Sequence, residues 1–100
     1  MSVYLIAQIE IRDRDEYMLY QAGFMEVFSK FEGEILIVDE NSRVLEGDWP
    51  YTRTVLIRFP NEEEAMKWYH SPEYQKLAQH RLKSSRGNII IASGLEQTAT

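Results

Sequence analysis

No cysteine occurs in the chain, which removes thiol nucleophiles, disulfides, iron–sulfur clusters and cysteine-ligated zinc. Glycine is sparse, five residues with no G-x-G spacing. Phosphate-cradling loops, dinucleotide fingerprints and nucleophile elbows therefore have no basis in the sequence. No apolar run nears the ~20 residues that a membrane-spanning helix requires. The opening "MSVYLIAQIEIRDRDE" carries no basic leader and no small-residue cleavage site, and reads as a strand rather than a signal peptide. Positive charge is also short. Eleven basic residues against sixteen acidic ones give a net charge of −5, whereas a nucleic-acid partner wants a concentrated basic face. The one basic cluster, Arg81, Lys83 and Arg86, stands where a helix should end, and is expected to be solvated there, complementing the helix dipole. These absences set the expectation of a soluble cytoplasmic protein with neither a nucleic-acid nor a membrane partner.

What is present is periodicity. One hundred residues with 44% hydrophobic content suffice for one domain with a single modest core. That domain is expected over residues 1–96, with the polar tail 97–100 fraying. "VYLIAQIEIR" alternates: Val3, Leu5, Ala7, Ile9 and Ile11 form a wholly apolar face, and Tyr4, Ile6, Gln8 and Glu10 a mixed one. That is a strand covered on one side. Asp13, with Glu16 three residues on, predicts a capped helix start. Tyr17, Tyr20, Phe24, Val27, Phe28 and Phe31 then recur at helical spacing, and Gly33 is expected to end the element. "GEILIVDE" predicts a second strand, "ENSR" a turn, "VLEG" a short extension or hairpin return, and "DWPY" a loop. "RTVLIRF" alternates again, with Val55, Ile57 and Phe59 on one face and Thr54, Leu56 and Arg58 on the other.

Asn61, with Glu64 three residues later, caps a further helix with Ala65, Trp68 and Tyr69 on its apolar face. In "MKWYHSPEYQKL" that helix meets Pro72, which lacks an amide hydrogen and clashes with the preceding turn. Serine at a cap, proline at the first helical position and glutamate in the first turn form a start signal. One helix is therefore predicted to end near His70, and another to begin at Pro72 with Tyr74, Leu77, Ala78 and Leu82 inward. "RGNIIIASGLE" closes the chain as a strand.

The order β-α-β-β-α-β, with the second helix split at Pro72, predicts an α+β, ferredoxin-like fold: a four-stranded antiparallel sheet with its helices on one face. The opposite sheet face, for which Tyr4, Ile6, Leu36 and Leu56 are candidates, then needs a cover. The simplest is the same face of a second chain. "EGDW" followed by "RTVLIRFPNEEEAMKWYHSPEYQ", together with "VYLIAQIEIRDRDEYMLY" and the closing "IIIASG", resembles the family known as domain of unknown function 1330. The string W-Y-x-S-P-E-Y is the most specific piece. The resemblance covers almost the whole chain and implies subunits paired sheet to sheet, the dimeric α+β barrel. Relatives by fold include small monooxygenases, isomerases, dehalogenase-like and stress-responsive barrel proteins. The family itself has no settled activity.

Several residues are candidates for chemistry. The tyrosine–phenylalanine stripe reads as core, with Tyr20 at a cleft edge. His70 and His80 are the two histidines; separated by a helix break, they lack the spacing of a helical metal pair, and no metal site is expected. His70 is a candidate general base. Glu46-Gly47-Asp48-Trp49 is either a polar turn with Trp49 packed on the sheet, or a pair of carboxylates dividing acid and base roles. Arg53 can pair with Glu46 or take an anionic ligand bidentately. Arg58 and Glu10, on the mixed strand faces, are expected to form structural salt bridges. Two functional readings follow. In the first, a homodimer binds a small, partly apolar or anionic ligand between sheet and helices. Tyr20, Trp49, Arg53 and Tyr74 line that cleft, Glu46 or His70 acts in acid–base catalysis, and no cofactor is needed. In the second, the chain is a non-catalytic dimerisation or stress-related module.

Overall fold

The alternation read in the strands sets one wet and one dry face to a sheet, and the computed structural model, which describes residues 1–95, builds that sheet. Its elements are β1 (Val3–Ile11), α1 (Arg14–Phe28), β2 (Glu34–Asp39), β3 (Arg53–Phe59), α2 (Glu62–Tyr69), α3 (Pro72–Ser84) and β4 (Ser85–Ser93). The strand order is β2-β3-β1-β4, with antiparallel neighbours throughout. This is the ferredoxin-like arrangement. The tail expected at 97–100 lies outside the described residues.

Register places like with like. Leu5 stands between Ile57 and Ile91, and Ala7 between Val55 and Ile89, on the inner face. Ile6 stands between Leu56 and Ile90 on the outer face. Val3, Leu5, Ala7 and Ile9 are buried, as the apolar face of β1 requires. In β2 a bulge changes the outer row: Ile35 pairs with Ile57 and Ile37 with Leu56, leaving Leu36 as the extra residue. Ile37 therefore completes the row across the sheet that the alternation alone would give to Leu36. Arg58 and Glu10 make exposed ion pairs with Glu34 and Arg12.

The three helices cover the inner face. Asp13 caps α1 by accepting from the amide of Glu16 at 3.2 Å. The Glu16 carboxylate does not return to the cap but meets His80 Nδ1 at 2.6 Å. Lys30 and Glu73 pair at the opposite end at 2.7 Å, so antiparallel α1 and α3 are tied at both ends. Between those ties Gly23 faces Leu77, which lets the two helices approach. Asn61 caps α2 through the amide of Glu64 at 2.8 Å.

The break between α2 and α3 is a single side chain used twice. The Ser71 hydroxyl donates to the carbonyl of Trp68 at 2.8 Å and accepts from the amide of Tyr74 at 3.2 Å. Pro72 occupies the first turn of α3, where its missing donor costs nothing. Trp68 and Tyr74 end up with ring centroids 4.2 Å apart. Around Trp68 gather Phe28 at 5.7 Å and Phe59 at 5.6 Å, the centre of the aromatic core.

Three further expectations change. "VLEG" forms no strand: Asp39 accepts from the amide of Asn41 at 2.7 Å, an Asx turn that leads residues 40–52 off the sheet. Gly47 turns within that loop at φ 82°. Helix α1 stops at Phe28 with Ser29 as its cap, well before Gly33, which does not adopt a positive φ. A Cβ on Gly33 would lie 2.7 Å from the Phe59 ring and against Phe28, so the glycine admits the aromatic core rather than ending a helix. Finally, Leu82 is exposed while Arg81 is buried. The inner stripe of α3 runs Tyr74, Ala78, Arg81, so the presumed solvated cluster at 81, 83 and 86 is split.

The two glycines should respond differently to alanine. Gly33→Ala drives a methyl into two packed rings and is expected to destabilise by about 1–3 kcal/mol. Gly23→Ala meets only the movable end of Leu77 and gains ~1 kcal/mol of helix propensity, so it should be near neutral. Urea denaturation of both variants checks the contrast.

Candidate functional site

Ala7 is the smallest inner residue of β1, and α1 and α3, packed along each other, lie over the same face of the sheet. The space left between them is a cavity of about 180 Å³. Leu5, Ala7, Val55, Ile57 and Ile89 face it from the sheet, and Tyr17, Tyr20 and Phe24 from α1. Trp68, Tyr74 and Arg81 complete the wall. Met25 and Val38, each about half exposed, also line it, so it reaches solvent between α1 and β2.

Its polar groups are few and buried. The hydroxyls of Tyr20 and Tyr74 lie 2.7 Å apart. Burial, reinforced by Tyr74, holds the Tyr20 phenol well above its ordinary pKa. Burial also raises Tyr17, against the opposing fields of Arg53 and Arg81. Both phenols are therefore neutral, proton-bearing groups at physiological pH. Arg53 extends inward from the first residue of β3, its guanidinium 5.7 Å from the Tyr17 ring centre. It is paired with Glu40 at 2.7 Å, and Glu40 also receives Arg14 at 3.0 and 3.2 Å. Arg81 is only 7% exposed and lies 5.8 Å from the Tyr20 ring centre. Among the described residues no carboxylate comes within ion-pairing distance of it. Burial works against its charge, but the facing Tyr74 and Tyr20 outweigh that and raise its pKa.

Among the described residues, four buried side-chain polar atoms lack a hydrogen-bond partner: Gln21 Oε1, Arg53 Nε, Trp68 Nε1 and Arg81 Nε. All four belong to residues that line this cavity. Folded proteins satisfy nearly all such groups, and exceptions concentrate at functional sites. Three donors and one acceptor make the cavity suited to a ligand rich in acceptors.

Of the residues singled out in the sequence, Tyr20, Arg53 and Tyr74 line the cavity together. Glu46 and Trp49 do not. They border a separate shallow depression of about 360 Å³ in the 40–52 loop, with Arg43 and Leu45. Trp49 packs edge-on against Tyr51, whose hydroxyl accepts from Asn88 in β4 at 2.9 Å. Arg53 pairs with Glu40 instead of Glu46 because Glu40 directly follows the last β2 residue paired to β3, whereas Glu46 sits further out on the loop. His70 caps α2 and is exposed, its ring edge-on to Tyr69, and it does not line the cavity. Arg81, Gln21 and Trp68 are the members that sequence reasoning passed over. Arg81 stands seven residues after Tyr74 and three after Ala78, a spacing that puts it on their face of the helix.

The family model described as Domain of unknown function (DUF1330) matches residues 2–95. The chain belongs to this family. None of the curated proteins matches this DUF1330 chain. Among solved structures it is similar to a dimeric ferredoxin-like protein of unknown function from Jannaschia sp. CCS1, with a TM-score of 0.80 and 14% identity over 94% of this chain and 100% of that one. A protein of unknown function from Rhodopseudomonas palustris, RPA0582, gives 0.78 and 14% over 96% of this chain and 84% of that one. SnoaB, a cofactor-independent oxygenase from Streptomyces nogalater, gives 0.67 and 10% over 96% and 95%. At these identities the likeness is one of fold.

In this DUF1330 chain Glu40 joins the start of α1, the start of β3 and the 40–52 loop. The hydrogen bond from Arg14 holds its carboxyl below the usual range against the effect of burial, and Arg53 adds to the lowering. A depressed folded pKa contributes stability that is present above the unfolded value and lost as pH falls through the folded one. Glu40→Gln should therefore lower the melting temperature at pH 7 by a few degrees. The gap to the unaltered protein should close below the ordinary carboxylate range. Thermal melts from pH 7 to pH 2 would show it.

Proposed function

We propose that the protein is a homodimer in which each protomer binds a small, partly apolar ligand in the cavity between sheet and helices, and handles a proton on it without a cofactor. The observation that carries this reading is that, among the described residues, all four with an unpartnered buried polar atom line that cavity. With Glu46 and His70 outside it, proton handling falls to the Tyr20–Tyr74 pair. A neutral phenol hydrogen-bonded to a second one can give a proton to a ligand oxygen, and Arg81 stabilises the negative charge left or formed beside it. The fold shared with a cofactor-independent oxygenase is compatible with chemistry of this kind.

Dimerisation rests on the outer face of the sheet. Ile37, Leu56, Ile6 and Ile90 align across all four strands, with Ile37 and Ile90 substantially exposed. Such a row is worth ~1.5–3 kcal/mol per fully buried side chain. A fold neighbour is described as dimeric.

Light scattering should give twice the chain mass at micromolar concentration, and Ile90→Lys should give a folded monomer. Native mass spectrometry after incubation with a metabolite extract tests the site. The unaltered protein should carry a small-molecule adduct that Ala7→Leu, which fills the cavity, removes while the protein still melts cooperatively. A protein that never acquires an adduct would defeat the binding reading.

A further inference from the structure

The charges around the cavity do not balance, and this specifies what it takes. The chain as a whole carries −5, yet no acidic residue lines the cavity, and its two charged lining residues are both arginines. Arg53 is answered by Glu40. Arg81, more than nine-tenths buried, is answered by the face of the Tyr20 ring and by no carboxylate among the described residues. Buried charges are otherwise paired in folded proteins, since an unpaired one is costly. One positive charge is thus left over inside an aromatic-walled space.

The volume limits the rest of the ligand. A cavity of about 150 Å³ admits a benzene ring, and this one is about 180 Å³. Tyr17, Phe24 and Trp68 line it with aromatic rings, while Trp68 Nε1 and Arg81 Nε are unpartnered donors among the described residues. Resting on the ligand-binding reading above, we infer that the site is selective for a single-ring aromatic monoanion whose carboxylate or comparable oxyanion is paired with Arg81. Arg81 is then a binding residue, and its guanidinium is the ligand's counter-charge rather than part of the core.

Trp68 reports on the site directly. The chain has two tryptophans, so Trp49→Phe, which alters only the outlying loop, leaves Trp68 as the single emitter. In that background benzoate should change Trp68 emission saturably, with at least tenfold higher affinity than benzamide, its neutral near-isostere. Arg81→Met should erase the preference, bringing benzoate to the benzamide level. Arg81→Lys should keep part of the preference. Equal affinity for benzoate and benzamide in the Trp49→Phe protein would overturn the anion inference while leaving a ligand cavity in place. No response to either compound at millimolar concentration would overturn both.

Discussion

The hydroxyl of Ser71 is the joint on which the site depends. By donating to the last turn of α2 and accepting from the first turn of α3, it fixes how far the chain rotates across the proline. That rotation decides which residues of α3 look inward. Tyr74 is brought onto Trp68, its hydroxyl reaches Tyr20, and Arg81, two helical turns further along, arrives on the same side. A continuous helix through residues 62–84 would have carried one apolar stripe past the sheet. The break gives two stripes with different directions, and the space between the second stripe and α1 is the cavity.

Around that space the structure holds two arginines in opposite conditions. Arg53 has its partner, and through Glu40 and Arg14 it ties strand, loop and helix together. These are interactions of a kind that contribute modestly each and gain from being networked. Arg81 has ring faces and hydroxyls but no anion. A core built only for stability would place a leucine there, as the neighbouring Leu82 shows is chemically at hand. The concentration of unpartnered polar atoms along one cavity, while the caps and helix ties elsewhere are satisfied, is how a fold looks when it accepts a local cost for a ligand.

The fold was legible because its signals are local and agree with one another. Period-two alternation marked β1 and β3, Asp13, Asn61 and Ser71 marked three helix starts, and together they left few topologies. The site was legible only in part. Tyr20, Arg53 and Tyr74 occupy inward positions by simple counting. Arg81 does too, but a cation near a helix end has an ordinary dipole reading, and the spacing to Tyr74 and Ala78 competed with a neighbouring leucine. Glu46 and Trp49 drew attention through composition, yet their position depends on the path of a loop turned away by Asp39. That path has no periodic signature. The bulge at Leu36 likewise moved a one-residue face assignment that alternation alone could not anticipate.

The two proposed roles of the sheet meet in adjacent residues. Ala7 faces the cavity and Ile6 the outer row, and the same holds for Val55 and Leu56 on β3. Because successive side chains in a strand point to opposite faces, the register that aligns Ile6 with Leu56 and Ile90 also sets Ala7 between Val55 and Ile89. A second copy seated on the outer face would hold β1 and β3 against slippage, since a shift of one residue would move every apolar side chain to the wrong side. Pairing the chains and keeping the cavity in shape are then one structural requirement, imposed on the two central strands from both sides.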